Sequence, residues 1–123
     1  MANEIYWKNS NIIIRFNGTV TADEIMSVND LIYGDSRFDS MNYQIFDYSK
    51  VEKMAMNEID SEVIGTLDKT ASMWNRKLKV AVVSNNDFID KLTQTYKKTI
   101  SDTAWEVRSF PSIDDALQWC EEE

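Results

Sequence analysis

Acidic side chains supply most of the chemistry-bearing residues in this 123-residue sequence, and they come in clusters: Asp23-Glu24, Glu58 with Asp60 and Glu62, Asp87 with Asp90, and Asp114-Asp115. Carboxylates at such spacings can exchange a proton in acid/base catalysis or hold a hard cation. Each cluster, however, falls in or near the first turn of a segment with helical periodicity. Acids there complement the free amides and the positive end of the helix dipole, at about 0.3–1 kcal/mol each. Lys69, Arg76-Lys77 and Lys97-Lys98 lie towards helix ends, as the same rule predicts. The acids read as structural.

Absences narrow the chemistry further. With no histidine, the commonest general base, the Ser-His-Asp and Cys-His pairings and most zinc sites are excluded. The three glycines, Gly18, Gly34 and Gly65, stand apart, so there is neither a phosphate-cradling loop nor a dinucleotide fingerprint. Cys120 is followed by Glu121, Glu122 and Glu123, a negative setting that disfavours a reactive thiolate, and it reads as a packed thiol. No catalytic, cofactor-binding or metal-binding residue is assigned, and the protein reads as a non-enzyme.

Two stretches are better placed for binding. Tyr43 to Val51 is an aromatic and β-branched run that ends on Asp47, Tyr48 and Ser49. It reads as a buried central strand, and in open α/β sheets the carboxyl end of such a strand is where ligands and partners bind. Asp47-Tyr48-Ser49 is open to two readings: a ligand or phosphorylation site, or a turn whose side chains bond local amides. After it come Met54 and Met56, soft apolar side chains suited to adaptable binding, or to capping the core. Asn57 and Glu58 then start a helix. The loop between this strand and the following helix is therefore the expected binding site.

The remaining elements position that loop. Glu4–Lys8 and Asn11–Asn17 read as two strands joined by a tight turn at Asn9-Ser10, with Gly18 ending the second. Thr21-Ala22-Asp23-Glu24 is a capping box opening a helix that carries Ile25, Val28, Leu31 and Ile32 on one side, and Gly34 closes it. Asp35 to Asn42 reads as a polar loop with Phe38 and Met41 tucked inward. In the second helix, capped by Asn57, the positions Ile59, Val63, Leu67, Ala71 and Trp74 form one apolar face expected to pack on the core, with Gly65 as an interior weak point.

Leu78–Val83 is a clear strand. Asn85 or Asn86 caps a third helix bearing Phe88, Leu92, Tyr96 and Ile100, and Trp105–Arg108 alternates like an edge strand. Ser112 caps a last helix with Ile113, Ala116, Leu117 and Cys120. Trp74, Trp105 and Trp119 read as core packing.

The order β-β-α-β-α-β-α-β-α predicts an α/β fold: a mixed sheet of about five strands, an N-terminal antiparallel hairpin, later strands parallel, and about four helices. Arg15, Gln44, Lys79, Glu106 and Arg108 place polar groups within the strands. That predicts helices mainly on one face, with part of the other open for contact. A net charge of -8 disfavours nucleic acid and anionic membranes, and serves solubility. A single cysteine fits a reducing compartment. Met1 to Glu4 lacks signal-peptide character, and no apolar run approaches the roughly 20 residues of a membrane span. A single cytoplasmic domain over residues 1–123 is expected.

The chain resembles the SpoIIAA-like, or STAS-type, domains, the family that includes anti-sigma factor antagonists. The resemblance is carried by the opening hairpin, Thr21-Ala22-Asp23-Glu24, Ile45 to Val51, Lys79 to Val83, Val107-Arg108-Ser109-Phe110 and the closing Ala116-Leu117-Gln118-Trp119. It implies a regulatory domain that docks a protein partner through the loop from Ser49 to Glu58 and the first turns of the following helix. Antagonists carry Asp-Ser-Ser at the start of the second helix, where a partner kinase phosphorylates serine. The matching positions here are Ala55, Met56 and Asn57, without a hydroxyl, so the switch does not carry over. Similarity of this architecture to Sec14-type lipid-binding domains implies an alternative, a carrier with an apolar pocket near Met54 and Met56. The residues expected to bind partner or ligand are thus Asp47, Tyr48, Ser49, Met54, Met56, Asn57 and Glu58. Self-association through the open sheet face is a further expectation.

Overall fold

Strict alternation builds the start of the chain. In the computed structural model, which describes residues 3–122, β1 (Asn3–Lys8) turns Ile5 and Trp7 to one side and pairs antiparallel with β2 (Asn11–Thr21). The reading of Met1 and Ala2 as free of a leader, and of Glu123 as the last closing acid, lies outside the described residues. Asn9 makes the turn in the left-handed region, φ 59°, which asparagine tolerates better than most residues. Ile12, Ile14 and Phe16 of β2 are fully buried. The strand does not stop at Gly18. It runs on to Thr21, and Gly18, at φ 66°, instead sits where the pairing with the next strand shifts register.

Helix α1 (Ala22–Tyr33) starts at Thr21, whose hydroxyl accepts the Glu24 amide at 3.2 Å. The expected reciprocal half of that capping box is missing, because the Glu24 carboxylate accepts from Asn3 Nδ2 at 2.8 Å. A short 3-10 turn over Ser36–Ser40 buries Phe38 and Met41 beneath it. Strand β3 (Tyr43–Ala55), helix α2 (Glu58–Ala71), strand β4 (Lys79–Val83), helix α3 (Asp87–Thr99), strand β5 (Glu106–Phe110) and helix α4 (Ile113–Cys120) follow. Asn57, Asn86 and Ser112 cap α2, α3 and α4 as their sequences predict, and Asn57 with Asp60 forms a complete capping box at 3.0 Å each way.

The five strands lie in chain order, β1-β2-β3-β4-β5, with β1 antiparallel and the others parallel. Crossovers of one hand that always step in one direction deposit their helices on one face. Accordingly Ile25, Val28 and Ile32 of α1, Ile64 and Ala71 of α2, and Ile89 of α3 share a core with Phe16, Phe46, Tyr48, Val80, Val82 and Val107. Helix α4 follows the last strand, is free of that constraint, and packs on the opposite face against Tyr43, Ile45, Ala81 and Val83. It covers the β3–β5 side and leaves Tyr6 of β1 exposed.

The strand polars divide between the faces. Lys79 Nζ donates to the Trp119 carbonyl at 2.8 Å, and Arg108 lies over the Trp119 ring, both on the α4 side. Gln44, expected to mark the open face, is instead buried on the side of α1, α2 and α3, its amide 3.6 Å from Met41 Sδ. The alternation of β3 turns it towards the larger core.

Helix α2 departs most from expectation. Most of its expected core stripe faces solvent, with Ile59 68%, Val63 45% and Leu67 52% exposed; Ala71 is buried as expected, and the helix ends there, leaving Trp74 in a turn at 76%. The inward face is Ser61, Ile64, Gly65, Asp68 and Ala71. Close approach to α3 is the reason: a Cβ at Gly65 would stand 2.8 Å from the Thr99 methyl, so position 65 leaves no room for a side chain at this crossing. In α3, Leu92 and Ile100 are buried as expected, while Phe88 is 44% exposed and Ile89 takes its place in the core. Trp105 and Trp119 are buried, unlike Trp74.

Candidate functional site

Strand β3 extends well past its pairing with β4, which ends at Asp47 opposite Val83. Lys50 to Ala55 pair only with the far half of β2, so most of the expected loop from Ser49 to Glu58 is strand, and only Met56 and Asn57 connect it to α2. The continued run of β2 through Val20 supplies that pairing. The resulting two-stranded ribbon carries Met54, and the connector carries Met56, over the gap between the sheet and the helices.

Beneath the two methionines lies a cavity of about 60 Å³. Its walls are mostly apolar, with Phe46, Val80 and Val82 from the sheet, Ile25 from α1, Ile64 from α2, and Ile89 and Leu92 from α3. Tyr48 faces into it from β3, and burial pushes the phenol of Tyr48 well above its ordinary pKa. Its polar end is Asp68 of α2 with Asn29 of α1 and Tyr96 of α3. Tyr96 donates to Asp68 Oδ2 at 2.5 Å, while Tyr33 and, at 3.4 Å, Asn29 Nδ2 donate to Oδ1.

Burial pushes the Asp68 carboxyl up to about 6, against the opposing pull of the two tyrosine hydrogen bonds. Asn29 Oδ1 is buried with no partner, a vacancy that ordinarily costs about 1–3 kcal/mol. Exchanging its amide N and O would set an oxygen against the carboxylate, so the observed orientation is the favourable one.

The seven sequence-predicted residues separate into four places. Tyr48, Met54 and Met56 come together at the cavity. Asn57 is spent on the α2 cap, and Glu58 is exposed beside it, its carboxyl held below the ordinary range by Lys91 at 3.2 Å. Asp47 lies on the opposite face of the sheet, buried, accepting from Arg15 Nε at 3.3 Å and from the Ser49 amide at 2.9 Å. The local amide bond expected of Asp47 is therefore present, but within a strand. Ser49 is exposed.

Asp68, Asn29, Tyr33 and Tyr96 escaped the sequence reading. The available signal was the small-residue spacing Ser61, Gly65, Asp68, Ala71, which marks a close-packed helix face even though a more apolar stripe competes with it.

Other chemistry stays dispersed. Cys120 is buried, and its thiol is pushed up to about 12 by that burial. Among the described residues no three acids or thiols converge as a metal site would need, and no helix is long and apolar enough to cross a membrane.

The arrangement thus defines an α/β domain with a single-helix cover on one sheet face, an exposed apolar helix ridge and a small half-open cavity. Residues 11–121 match the SpoIIAA-like family, and the chain belongs to that family. Among curated proteins no sequence match is found.

Solved structures share the fold. A protein from Shewanella loihica PV-4 with a SpoIIAA-like fold is 16% identical, with a TM-score of 0.59 over 97% of this chain and 92% of that one. The anti-sigma factor antagonist SpoIIAA in its unphosphorylated form is 9% identical, with a TM-score of 0.66 over 99% and 100%. The Bacillus cell fate determinant SpoIIAA in its phosphorylated form is likewise 9% identical, with a TM-score of 0.61 over 96% and 98%.

Proposed function

We propose that this is a non-enzymatic cytoplasmic regulatory domain, similar to anti-sigma factor antagonists, that docks a protein partner through the start and outer face of α2. The observation that carries this reading is the exposed row Ile59, Val63 and Leu67, continued by Trp74. An apolar row on a solvent-facing helix is the usual mark of a helix-binding or groove-binding surface. Glu58 and Glu62 flank the row, and the net charge is -8, so the partner that fits is apolar at its centre and basic at its rim. This surface takes up the end of the Ser49–Glu58 stretch and the first turns of the following helix, while Lys50 to Ala55 are paired with β2. Ala55, Met56 and Asn57 offer no hydroxyl for phosphorylation at the helix start, so docking here is independent of that modification.

The test is retention of proteins from the native cells by wild type and by a Val63→Asp, Leu67→Asp variant. A partner held by wild type and released by the variant, at unchanged thermal stability, is the expected result. Equal retention by both, or none by either, overturns the reading.

The cavity under Met54 and Met56 favours a second reading, a small-molecule carrier, since apolar walls with a few convergent polar groups characterise ligand sites. Native mass spectrometry of gently purified protein checks it: a discrete small adduct is expected, and its consistent absence counts against a carrier.

A further inference from the structure

Asp68 is 4% exposed, yet every hydrogen bond it accepts comes from a neutral group: Asn29 and Tyr33 on α1, and Tyr96 on α3. Among the described residues, no lysine or arginine comes within ion-pair distance of it. The titratable groups facing it are the phenols of Tyr33, Tyr96 and Tyr48, all held neutral by burial, and Asp30 of α1 adds only further negative charge near Tyr33. A carboxylate buried without a countercharge is unusual, and it borders a half-open cavity. Asn29, 6% exposed, lines the same cavity, and its Oδ1 has no donor. Asn29 Oδ1 therefore lacks a donor, and the Asp68 carboxylate, though hydrogen-bonded, lacks a positive charge.

We propose that the cavity binds a small alkylammonium ligand, its N–H groups donated to Asn29 Oδ1 and the Asp68 carboxylate, its alkyl chain lying against Phe46, Met54, Met56 and Ile89. The inference rests on the carrier reading and adds the ligand class to it. Charge selects the sign: the carboxylate repels anions, and the net charge of -8 draws cations to the protein. Size keeps the ligand short, since about 60 Å³ encloses roughly two or three non-hydrogen atoms on the scale at which about 150 Å³ holds benzene, and the rest of a short chain lies in the half-open mouth. Met54, Met56 and Tyr96 are the partly exposed members of the wall and form its mouth. The flexible methionines let a ligand enter without unfolding an element.

The experiment follows the methionine methyl resonances of the full chain during titration with n-butylamine, 1-butanol and butyrate at neutral pH. Saturable shifts at Met54 and Met56 are expected from butylammonium, with affinity about tenfold above butanol and with no saturation by butyrate. As Asp68 titrates near 6, amine affinity should fall about tenfold from pH 7 to pH 5. Asp68→Asn should remove the preference for amine over alcohol. If that variant fails to fold, the wild-type pH profile and the amine-to-alcohol ratio decide the matter. Butanol binding as well as the amine, or an affinity independent of pH, overturns the ammonium assignment and leaves the carrier reading standing. No saturable shift from any probe overturns both.

Discussion

Helices α2 and α3 carry nearly the same sequence signal and use it in opposite directions. Each has apolar residues four apart, Ile59, Val63 and Leu67 in one, Leu92, Tyr96 and Ile100 in the other. In α3 that row packs inward, Leu92 and Ile100 being almost wholly buried. In α2 it faces water, and Ser61, Ile64, Gly65 and Asp68 line the interior. Periodicity identifies a face, but it does not say which neighbour claims it. Where two helices cross so closely that Gly65 meets Thr99, side-chain volume outranks hydrophobicity, and the apolar row is left for another use.

Substitutions on the two faces of α2 should break or sharpen this contrast. Ile64→Ala, on the inner face, is expected to destabilise by about 2–4 kcal/mol in denaturant unfolding, whereas Leu67→Ala on the outer face should stay within about 0.5 kcal/mol. Equal effects would mean that the outer row is covered in the free protein.

The next largest effect depends on pH. The folded protein holds the Asp68 proton up to about 6, above its ordinary value of 3.8, so between these limits the native state binds more protons than the unfolded one. Stability contributed by this group is thus full at low pH and lost as pH rises through about 6. Asp68→Asn does not titrate. Its stability relative to wild type should therefore improve by about 2 kcal/mol from pH 4 to pH 7. A difference flat with pH would place the carboxyl in a more watery setting.

Smallest is Gly65→Ala. Helix propensity alone favours alanine by about 1 kcal/mol, but the added methyl collides with Thr99. A net loss of about 1–2 kcal/mol is expected. A net gain would show that α2 and α3 can separate at little cost.

The candidate site was legible in part. Tyr48, Met54 and Met56 were visible as an aromatic and two soft side chains after a buried strand, and they do line one cavity. Asp47 was named with them because it follows the same run, but one residue along a strand reverses the face, and it pairs with Arg15 on the far side. Asp68 stayed hidden: in sequence it is one more acid on a helix with several, and only its enclosure by Asn29, Tyr33 and Tyr96 distinguishes it.

Local chemistry determined the elements themselves. The caps at Thr21, Asn57, Asn86 and Ser112, the turn at Asn9 and the alternation of β1 and β2 depend on groups within a few residues of each other, and such short-range preferences are written directly in the chain. The order of strands and helices then implied the mixed sheet. Tertiary structure alone decided the length of the β2–β3 ribbon, the outward turn of the α2 row and the cavity at Asp68. Each arises where residues distant in sequence compete for the same space, and that competition is settled by packing between elements, which no local pattern encodes.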